Sequence, residues 1–567
     1  MPALAAREGA VMYAEPANVP DPAGTERFAG YRRCGSTSTP SSADPPSEGG
    51  RMGVGRGVVT FLAAAGVGLV MAAVPVAPAA AEVPTKVTIS GVVDAVSSWT
   101  RNLSVVDLNY ADRADTEWYA RTRVRPDITA EVGTTKFVLG LEIDSVWGAV
   151  GAGGSDTAAP QRSGTTHSID LNTDTPGVIE LKWGYVEFDA PHVPRPLRVR
   201  LGGQPFAITY KPGMLATGDF GGAYATLAAT PNTKLGLTWA QVEEETTGPG
   251  DGFVHGEDYA VVAHAEFTPL RGLGIKPLYA LFVADSVTNR AARQGRGGLG
   301  TGAANYPLGN AEWRHTIGVD ARWRAGAFTL EPTVLYQWGE REVTPDAPFA
   351  AIGKRAQDRS AWLVDLRSGW HAGALLVEGV AAYATGNRAE EDVRSPRRTV
   401  RYFEPINTDG DYFVGWSEIL TKNVENLNSL YGSALGLNLG TAPTFDKYGL
   451  LRLGARASYA VAPAFTVRSA VGTGWTAEPV DTSSTLAAAT GLTPGDGRGD
   501  SRHIGIELDL GVQWRFAPGL ALDLVGAYLW AGGALTQATA TSTNGVTQNA
   551  RSPADVQTVT ARVRYSF

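Results

Sequence analysis

The chain has 567 residues and a formal net charge of −8, and only 19% of its residues are charged. The modest negative charge means that no global basic field points to nucleic acid, so we predict no nucleic-acid partner. Beyond residue 81, no segment reaches the roughly 18 uninterrupted apolar residues of a membrane-spanning helix. The 68 glycines and 14 tryptophans are nevertheless atypical of a large soluble protein.

The N-terminal region is typical of export rather than of a folded domain. Residues 1–51 are rich in Ala, Gly, Pro and Ser without apolar periodicity, and we interpret them as a misassigned start or a disordered extension. Residues 52–81 have the three parts of a secretory signal peptide: Arg56, an apolar run at 58–74 and an alanine-rich cleavage site at 79–81. A single N-terminal membrane anchor is the alternative.

The remaining chain, residues 82–567, is predicted to be one domain without disulfides. The only cysteine of the sequence, Cys34, lies in the N-terminal extension. A secreted domain of this size must therefore be stabilised in another way.

The first strongly patterned stretch, RTRVRPDITAEVGTTKFVLGLEID at 121–144, alternates charged and apolar residues on both sides of a Gly-Thr pair. Period-two alternation predicts β-strands, and a two-residue connection with Gly first suits a type II′ hairpin turn at 133–134. Folding there places Ile128 opposite Leu139 on an apolar face. The charged face then carries opposite-charge pairs: Arg125 with Glu142, Arg123 with Asp144, and Glu131 with Lys136.

The same construction recurs in three further stretches. WRHTIGVDARWRAGAFTLEPTVLYQW predicts a hairpin that turns at 325–326, and WLVDLRSGWHAGALLVEGVAAY predicts one that turns at 372–373. HIGIELDLGVQWRF alternates apolar and polar residues throughout its length. The facing residues expected from the two turns are Ile317 with Val334, Trp313 with Trp338, Arg367 with Glu378, and Trp362 with Tyr383.

Eighteen such segments can be assigned, and their connections alternate strictly between short and long. Their approximate bounds are 86–98, 116–132, 135–148, 177–190, 196–206, 221–230, 233–243, 256–268, 273–285, 311–324, 327–341, 360–371, 374–386, 445–460, 464–477, 501–516, 520–531 and 553–567. Most are longer than the roughly 5–6 residues of a typical soluble strand. They suit a tilted membrane-spanning strand, which needs about 9–11 residues.

We therefore predict an all-β fold, a transmembrane antiparallel β-barrel of 18 strands with short periplasmic turns and long extracellular loops. The number would be 16 if the poorly alternating segments 221–230 and 273–285 were not strands. Aromatic residues gather at both ends of the segments, as in the two girdles of a membrane barrel. The apolar face is expected to meet lipid and the charged face to meet water inside the barrel.

The end of the chain resembles known outer-membrane proteins. VQTVTARVRYSF alternates up to the terminal Phe567 and looks like the C-terminal signal strand of bacterial outer-membrane barrels, which implies recognition by the barrel-assembly machinery. HIGIELDLGVQWRFAPGLALDLVGAYLWAGGAL resembles the corresponding hairpin of the alginate-export family of porins. That resemblance implies an eighteen-stranded barrel that passes anionic polysaccharide or other small anions. Acids such as Glu142 and Glu378 balance the arginines here, which departs from a strongly anion-selective lumen.

A barrel of this size can hold an aqueous channel, and inward-facing charges set the selectivity of such a channel. Strand phase predicts a set of pore-lining charged residues. They are Arg121, Arg123, Arg125, Glu142, Asp144, Arg198, Arg200, Arg314, Arg322, Arg367, Glu378, Arg452, Arg456, Arg468, Glu507 and Asp509. The alternative is that these charges only solvate the wall or brace neighbouring strands as ion pairs.

Two features could shape the lumen. Arg452, Arg456 and Arg468 are expected to lie close together without an alternating acid, which we interpret as a basic ladder. The long connection at 387–444 contains SEILTKNVENLNSLYG, whose apolar spacing predicts a short amphipathic helix. Folded inward, the helix would be a constriction, and folded outward, a surface cap.

These patterns predict a non-enzymatic channel of the bacterial outer membrane for passive diffusion of small hydrophilic solutes, including anionic ones. The alternatives are an alginate-type exporter of anionic polysaccharide, an outer-membrane hydrolase, and a structural barrel blocked by its own loops. We predict no catalytic residue, metal or cofactor. The expected partners are outer-membrane lipid and lipopolysaccharide, the assembly machinery at Phe567, and small solutes or an anionic saccharide.

Overall fold

A computed structural model describes most of the predicted strands and parts of their connections. The described residues are 84–102, 116–147, 168–172, 175–211, 214–242, 259–285, 308–344, 355–388, 399–407, 417–420, 448–480, 501–535, 537–541, 547–551 and 553–567. The predicted extension, the predicted signal peptide and all but the first four residues of the helix predicted at 417–432 lie outside them.

Long strands make up nearly all of the described structure. In chain order the strands are β1 (Lys86–Arg101), β2 (Thr116–Val132), β3 (Thr135–Val146), β4 (Ser168–Asn172), β5 (Thr175–Asp189), β6 (Leu197–Ala207), β7 (Ala216–Thr230), β8 (Thr233–Gln241), β9 (Tyr259–Leu270), β10 (Leu273–Asp285), β11 (Leu308–Ala325), β12 (Phe328–Thr344), β13 (Arg355–Ala372), β14 (Leu375–Ala384), β15 (Thr399–Val400), β16 (Ile406–Asn407), β17 (Leu450–Ala462), β18 (Phe465–Val480), β19 (Ser501–Ala517), β20 (Leu520–Ala531), β21 (Gln537–Thr541), β22 (Thr547–Arg551) and β23 (Val556–Ser566). A single-turn 3₁₀ helix, Gly533–Leu535, follows β20. No helix among these described residues is long and apolar enough to cross a membrane.

Eighteen of the strands form one closed antiparallel wall, and β4, β15, β16, β21 and β22 are short segments of its connections. Each wall strand pairs with the next wall strand along the chain, and β1 pairs with both β2 and β23. At this closure, Gly91 and Phe567 exchange two backbone hydrogen bonds of 2.9 and 3.1 Å. Closure leaves no unpaired edge, as a membrane-spanning sheet requires. The predicted fold class and the number of 18 strands are confirmed.

The wall is apolar on the outside and charged on the inside. Leu510 is 61% exposed and Phe328 60%, whereas Arg314 is only 1% exposed and the side chain of Glu507 is fully covered. Tryptophans such as Trp118 lie exposed near the long connections, and a second aromatic level lies near the short turns. An apolar outer face between two aromatic levels is the surface of a membrane-embedded barrel.

The first predicted hairpin is confirmed residue by residue. Ile128 faces Leu139, and Arg123 faces Asp144 across the β2–β3 pair. The turn begins at Gly133, whose φ of 60° lies in the left-handed region that only glycine adopts readily. A first-position glycine of this kind is what a type II′ turn requires.

Two other hairpins turn one position later than predicted, which shifts their partners by two residues. The turns begin at Gly326 and Gly373, each with a φ of 61°, so glycine again takes the first position. The observed partners are Ile317 with Tyr336, His315 with Trp338, Arg367 with Val380, and Val364 with Tyr383. Because side chains alternate with a period of two, this correction moves no residue to the other face of the wall.

Two long connections fold into the barrel. We call the described residues 208–211 and 214–215, between β6 and β7, the first strap. We call the described residues 399–407, between β14 and β17, the second strap. The two straps meet inside the wall, where the Ile406 N–H donates to the Leu215 carbonyl at 2.6 Å and β16 runs parallel to the start of β7.

Candidate functional site

The straps form an apolar core inside the barrel. Ile208, Leu215, Phe403 and Ile406 from the straps belong to one buried cluster with wall residues such as Phe282. Further wall members of this cluster are Phe206, Ala216, Phe220, Ala240, Ala260, Val262, Leu278, Ala280, Ala284, Leu335, Ala361, Leu363, Ala382, Ala384, Leu450, Ile504, Ala527, Leu529 and Val556. The poor alternation of β10 in the sequence now has a reason, because its outer face meets lipid and its inner face packs against the straps.

An ion quartet fastens the second strap to β11 and β13. Arg314 lies 2.9 Å from Glu312 and 3.0 Å from Glu404 of the strap. Arg359 lies 2.9 Å from Glu312 and 2.8 Å from Glu404. All four side chains are buried and their formal charges cancel, which is the arrangement in which buried charges are tolerated.

Gln337 of β12 holds the backbone of the same strap as a neighbouring strand would. Its side-chain amide donates to the Glu404 carbonyl at 2.6 Å, and its carbonyl oxygen accepts from the Glu404 N–H at 3.0 Å. Arg359 also donates to the Tyr402 carbonyl at 3.1 Å, and Arg341 donates to the Tyr402 hydroxyl at 3.2 Å. The strap is therefore fixed through both its side chains and its backbone.

Lys211 fastens the first strap to β12 and β13. Its ammonium lies 2.9 Å from the Asp365 carboxylate of β13 and donates to the Glu331 carbonyl at 2.6 Å. Burial lowers the pKa of Lys211 below its usual value, against the opposing effect of Asp365. Beside it, the ring of Tyr210 lies between Lys276 and Arg322, 4.2 and 5.0 Å from its centre.

A third buried contact involves residues 417–420, further along the connection that carries the second strap. Glu507 accepts the backbone N–H groups of Ile419 and Leu420 at 2.6 and 2.7 Å, and Asp509 accepts that of Glu418 at 3.2 Å. The predicted pore-lining acids of β19 are therefore covered by this segment. The described part of the connection lies inside the barrel. Its residues 417–420, the first four of the predicted helix, are not helical, and the rest of that helix lies outside the described residues.

On the wall of β2 and β3, charges form a second cluster. Arg125 lies 2.6 Å from Glu142, as the charge pairing predicts, whereas Arg123, which was predicted to pair with Asp144, lies 2.9 Å from the same Glu142. Lys182 of β5 joins the same carboxylate at 3.2 Å and also lies 3.3 Å from Asp219 of β7. Arg121 is buried in the same row, and the backbone of Asp144 faces that of Arg123.

Near the short turns, inward-facing charges remain partly exposed and form a vestibule, which we define by Arg198, Arg200, Arg322, Arg456 and their acidic partners. Arg198 and Arg200 lie 2.8 and 2.9 Å from Glu187. Arg322 pairs with Glu331, and Arg456 donates to Glu378 at 3.0 Å. These arginines keep a quarter to two fifths of their side chains exposed.

Acidic residues of neighbouring segments lie beside the arginines of the predicted basic ladder. Arg456 is paired with Glu378 on the neighbouring strand β14. Arg468 lies 3.8 Å from Glu418, and Arg452 donates to Ser417 at 3.3 Å beside the acids of β19. The three arginines do lie on adjacent strands, but the expectation that no acid accompanies them is wrong. Similarly, Arg367 lies 3.3 Å from Asp365 instead of pairing with Glu378.

The buried charges in the described part of the chain are balanced in sign. Among the described residues, eleven acidic and eleven basic side chains are buried. The buried residues therefore give no basis for a strong preference for one sign of charge. Within the described part of the chain, no group of three or more His, Cys, Asp or Glu could hold a metal ion.

Apart from Arg314, the residues that fasten the straps were not predicted from the sequence. Glu312 and Arg359 lie in wall strands, and the phase of those strands could have placed both inside the barrel. Lys211 and Glu404 lie in connections, where alternation carries no information about position. One signal was available in the sequence. A charged loop residue flanked by apolar ones, as in Phe403-Glu404-Pro405-Ile406, indicates a loop that packs against other residues.

Comparison with known proteins adds similar structures but no family. No protein-family model matches the chain, and no curated protein matches its sequence. The chain is similar to the crystal structure of OccK8 (OprE) of Pseudomonas aeruginosa, at 11% identity and a TM-score of 0.42, over 85% of this chain and 98% of that one. OpdK of the same organism, solved with vanillate, gives 11% and 0.42 over 84% and 98%. OccAB2 of Acinetobacter baumannii gives 11% and 0.41 over 84% and 98%. Such identities transfer no residue role or ligand, and the resemblance to the alginate-export family stays a prediction.

Proposed function

We propose that the chain is a channel of the bacterial outer membrane through which small hydrophilic solutes diffuse passively. The observation that carries the proposal is the closed wall of eighteen strands, apolar outside and charged inside. Replacing buried ion pairs by well-packed apolar residues is often neutral or stabilising. An inner wall of paired charges is therefore better explained by a hydrated path than by stability alone.

We place the short turns in the periplasm and the long connections outside the cell, as in other outer-membrane barrels. The partly exposed arginines of the vestibule, such as Arg200 and Arg456, would then meet solutes on the periplasmic side. Each has an acidic partner, so we expect at most a weak preference for anions. Lipid and lipopolysaccharide surround the wall, and the assembly machinery recognises the strand that ends at Phe567.

The alternatives receive less support from the described residues. An exporter of anionic polysaccharide should have a strongly basic lumen, whereas the buried charges are balanced. A hydrolase at the lipid surface would need a serine beside a histidine. The outward-facing His315 instead bonds the Tyr279 hydroxyl at 2.8 Å, and His264 stacks on Tyr224. A loop-blocked structural barrel is favoured by one observation, the apolar core around the straps.

The test is an electrical measurement on the full chain, expressed with its own N-terminal region and purified from the membrane. Single-channel current and reversal potential are recorded in planar bilayers under a tenfold KCl gradient. A steady current with a reversal potential close to zero supports a weakly selective channel. A small, anion-selective current that uronate oligomers block would support the exporter. No current from correctly folded protein would favour the blocked barrel and overturn the proposal.

A further inference from the structure

Exposed basic residues lie around the short-turn opening of the barrel, beyond the vestibule. Arg195 lies on the connection between β5 and β6, Lys234 at the start of β8, Arg271 on the turn between β9 and β10, and Arg515 near the end of β19. All four are exposed, and none of them has an acidic partner among the described residues. We call these four residues the mouth cations.

Strand alternation turns two of the mouth cations, Lys234 and Arg515, towards the lumen. Leu235, the neighbour of Lys234 in β8, is 42% exposed on the lipid-facing side, so Lys234 belongs to the inner face. Trp514 and Phe516 flank Arg515 and are 48% and 43% exposed on the outer face, so Arg515 is turned inward in the same way. The other two mouth cations lie on the connections themselves, at the edge of the same opening.

Acidic residues at this end do not balance the mouth cations, and the structure describes all eight short turns. Glu131 and Asp189 are 43% and 45% exposed, but each is already paired with a basic residue, at 3.6 and 3.0 Å. Asp127 and Glu266 lie deeper, are partly buried and accept hydrogen bonds of 3.0 Å from neutral donors. The chain-terminal carboxylate of Phe567 adds one exposed negative charge, so the opening keeps a net positive charge.

We infer that the mouth cations give the channel its preference for one sign of charge, by raising the concentration of anions at the short-turn opening. This inference rests on the proposed channel function and adds to it the residues that determine selectivity. The buried charges inside the wall are balanced in sign, so an excess of exposed charge at an opening is the remaining source of such a preference. Uncompensated charges around an opening attract counter-ions and concentrate them there.

The preference should depend strongly on salt, because the mouth cations are exposed and lie on different turns. The distance over which salt screens a charge is about 10 Å at 0.1 M and about 3 Å at 1 M. Their combined field therefore reaches across the opening only in dilute salt. The channel should prefer anions in dilute salt, most strongly when the dilute solution bathes the short-turn side, and should be nearly unselective in concentrated salt.

Charge neutralisation at the two ends of the barrel tests this inference. The mouth variant combines Lys234→Gln, Arg271→Gln and Arg515→Gln. The matched control removes three exposed arginines near the long connections, by Arg101→Gln, Arg388→Gln and Arg502→Gln. Heat-modifiable migration on SDS gels shows that each variant is folded.

Reversal potentials of the unmodified chain, the mouth variant and the control are recorded in planar bilayers under two tenfold KCl gradients, one reaching about 0.1 M and the other about 1 M. In the dilute gradient, we expect the unmodified chain and the control to show the anion-selective sign and the mouth variant to lie close to zero. In the concentrated gradient, all three should lie close to zero, because salt screens the mouth cations.

A second measurement reports the potential at the opening without any current. Cys34 is the only cysteine and is replaced by serine, and Asn232→Cys then places a thiol on an exposed turn, two residues before Lys234. Its modification by anionic sulfonatoethyl and by cationic trimethylammonioethyl methanethiosulfonate is followed by mass, with free cysteine as the reference. In dilute salt the ratio of the anionic to the cationic rate should exceed the reference about tenfold. Concentrated salt and the mouth substitutions should each return the ratio to the reference.

Two results would overturn the inference. One is a reversal potential in dilute salt that the mouth substitutions leave unchanged. The other is a rate ratio at Asn232→Cys no higher than that of free cysteine. If the unmodified, folded protein carries no current, the proposed channel function fails. A raised rate ratio that the mouth substitutions abolish would then still support the concentration of anions at this opening.

Discussion

Replacing Glu404 by glutamine tests whether the ion quartet holds the second strap in place. Glu404 lies 3.0 Å from Arg314 and 2.8 Å from Arg359, and the glutamine removes this carboxylate charge from both buried guanidiniums. Removing one partner of a buried ion pair costs about 3–5 kcal/mol. The amide oxygen can still accept one hydrogen bond, so we expect a loss near the lower end, about 3 kcal/mol. That is roughly a hundredfold shift towards a detached strap.

Two measurements follow this loss. The free energy of unfolding, from urea titration in detergent micelles, should fall by about 3 kcal/mol. Single-channel current should rise, because a detached strap no longer fills its part of the lumen.

The matched control is Glu131→Gln, at an ion pair of 3.6 Å with Lys86 in which the two side chains are 73% and 43% exposed. Such a surface pair should contribute under about 1 kcal/mol. Equal effects of Glu404→Gln and Glu131→Gln would refute the role of the quartet. Lower stability with unchanged current would show that the strap is fastened there but does not limit the channel.

Three further substitutions test separate parts of the structure by the same unfolding measurement. Gly373→Ala should cost about 1–2 kcal/mol because Gly373 has a φ of 61°, and the effect of Ala374→Gly at the next turn position should be smaller. Equal effects would contradict the assigned turn. Lys211→Met should cost about 3 kcal/mol because it removes a buried cation 2.9 Å from Asp365. Failure of an added Asp365→Asn to recover part of this loss would argue against that pairing. Leu510→Arg should cost about 2–4 kcal/mol in lipid vesicles if this exposed residue faces the hydrocarbon, and a neutral result would place it elsewhere.

The wall of the barrel could be predicted from the sequence because one physical rule governs it almost everywhere. Every lipid-facing position must be apolar, so alternation is enforced over whole strands rather than over a few residues. At the hairpin that turns at Gly133, the charge pairs and the apolar pairs both predict the same register, which is the one observed. The 18-strand count followed from the same rule.

The predicted register was wrong at two hairpins, because the alternation of apolar and polar residues does not determine it there. A shift of two residues keeps every side chain on its face, so alternation cannot distinguish Ile317 facing Val334 from Ile317 facing Tyr336. Only turn chemistry decides, and a glycine at the first position has the positive φ that a type II′ turn needs. Applying this to Gly326 and Gly373 as it was applied to Gly133 gives the observed partners.

The charge network was harder to predict, because many of its partners are distant in sequence. Arg456 meets Glu378 across β14 and β17, which are neighbours in the wall but are separated by a long connection. Arg564 meets Asp94 only because the two ends of the chain close the barrel. Neither pair can be predicted from hairpins alone, because no short turn joins the two strands concerned. Loop residues such as Glu404 have no register at all until the loop folds against the wall.

Apolar and charged residues of the straps therefore have different physical roles. Phe403 and Ile406 favour burial wherever they meet an apolar surface, since the hydrophobic effect is non-directional. Glu404, between them, is tolerated only where two guanidiniums converge, and a slip of one residue would place it beyond Arg314 and Arg359. The apolar residues thus supply the stability of this core and the charge supplies its position. In a barrel with no cysteine in any described strand, that division gives a fixed internal segment without a covalent link.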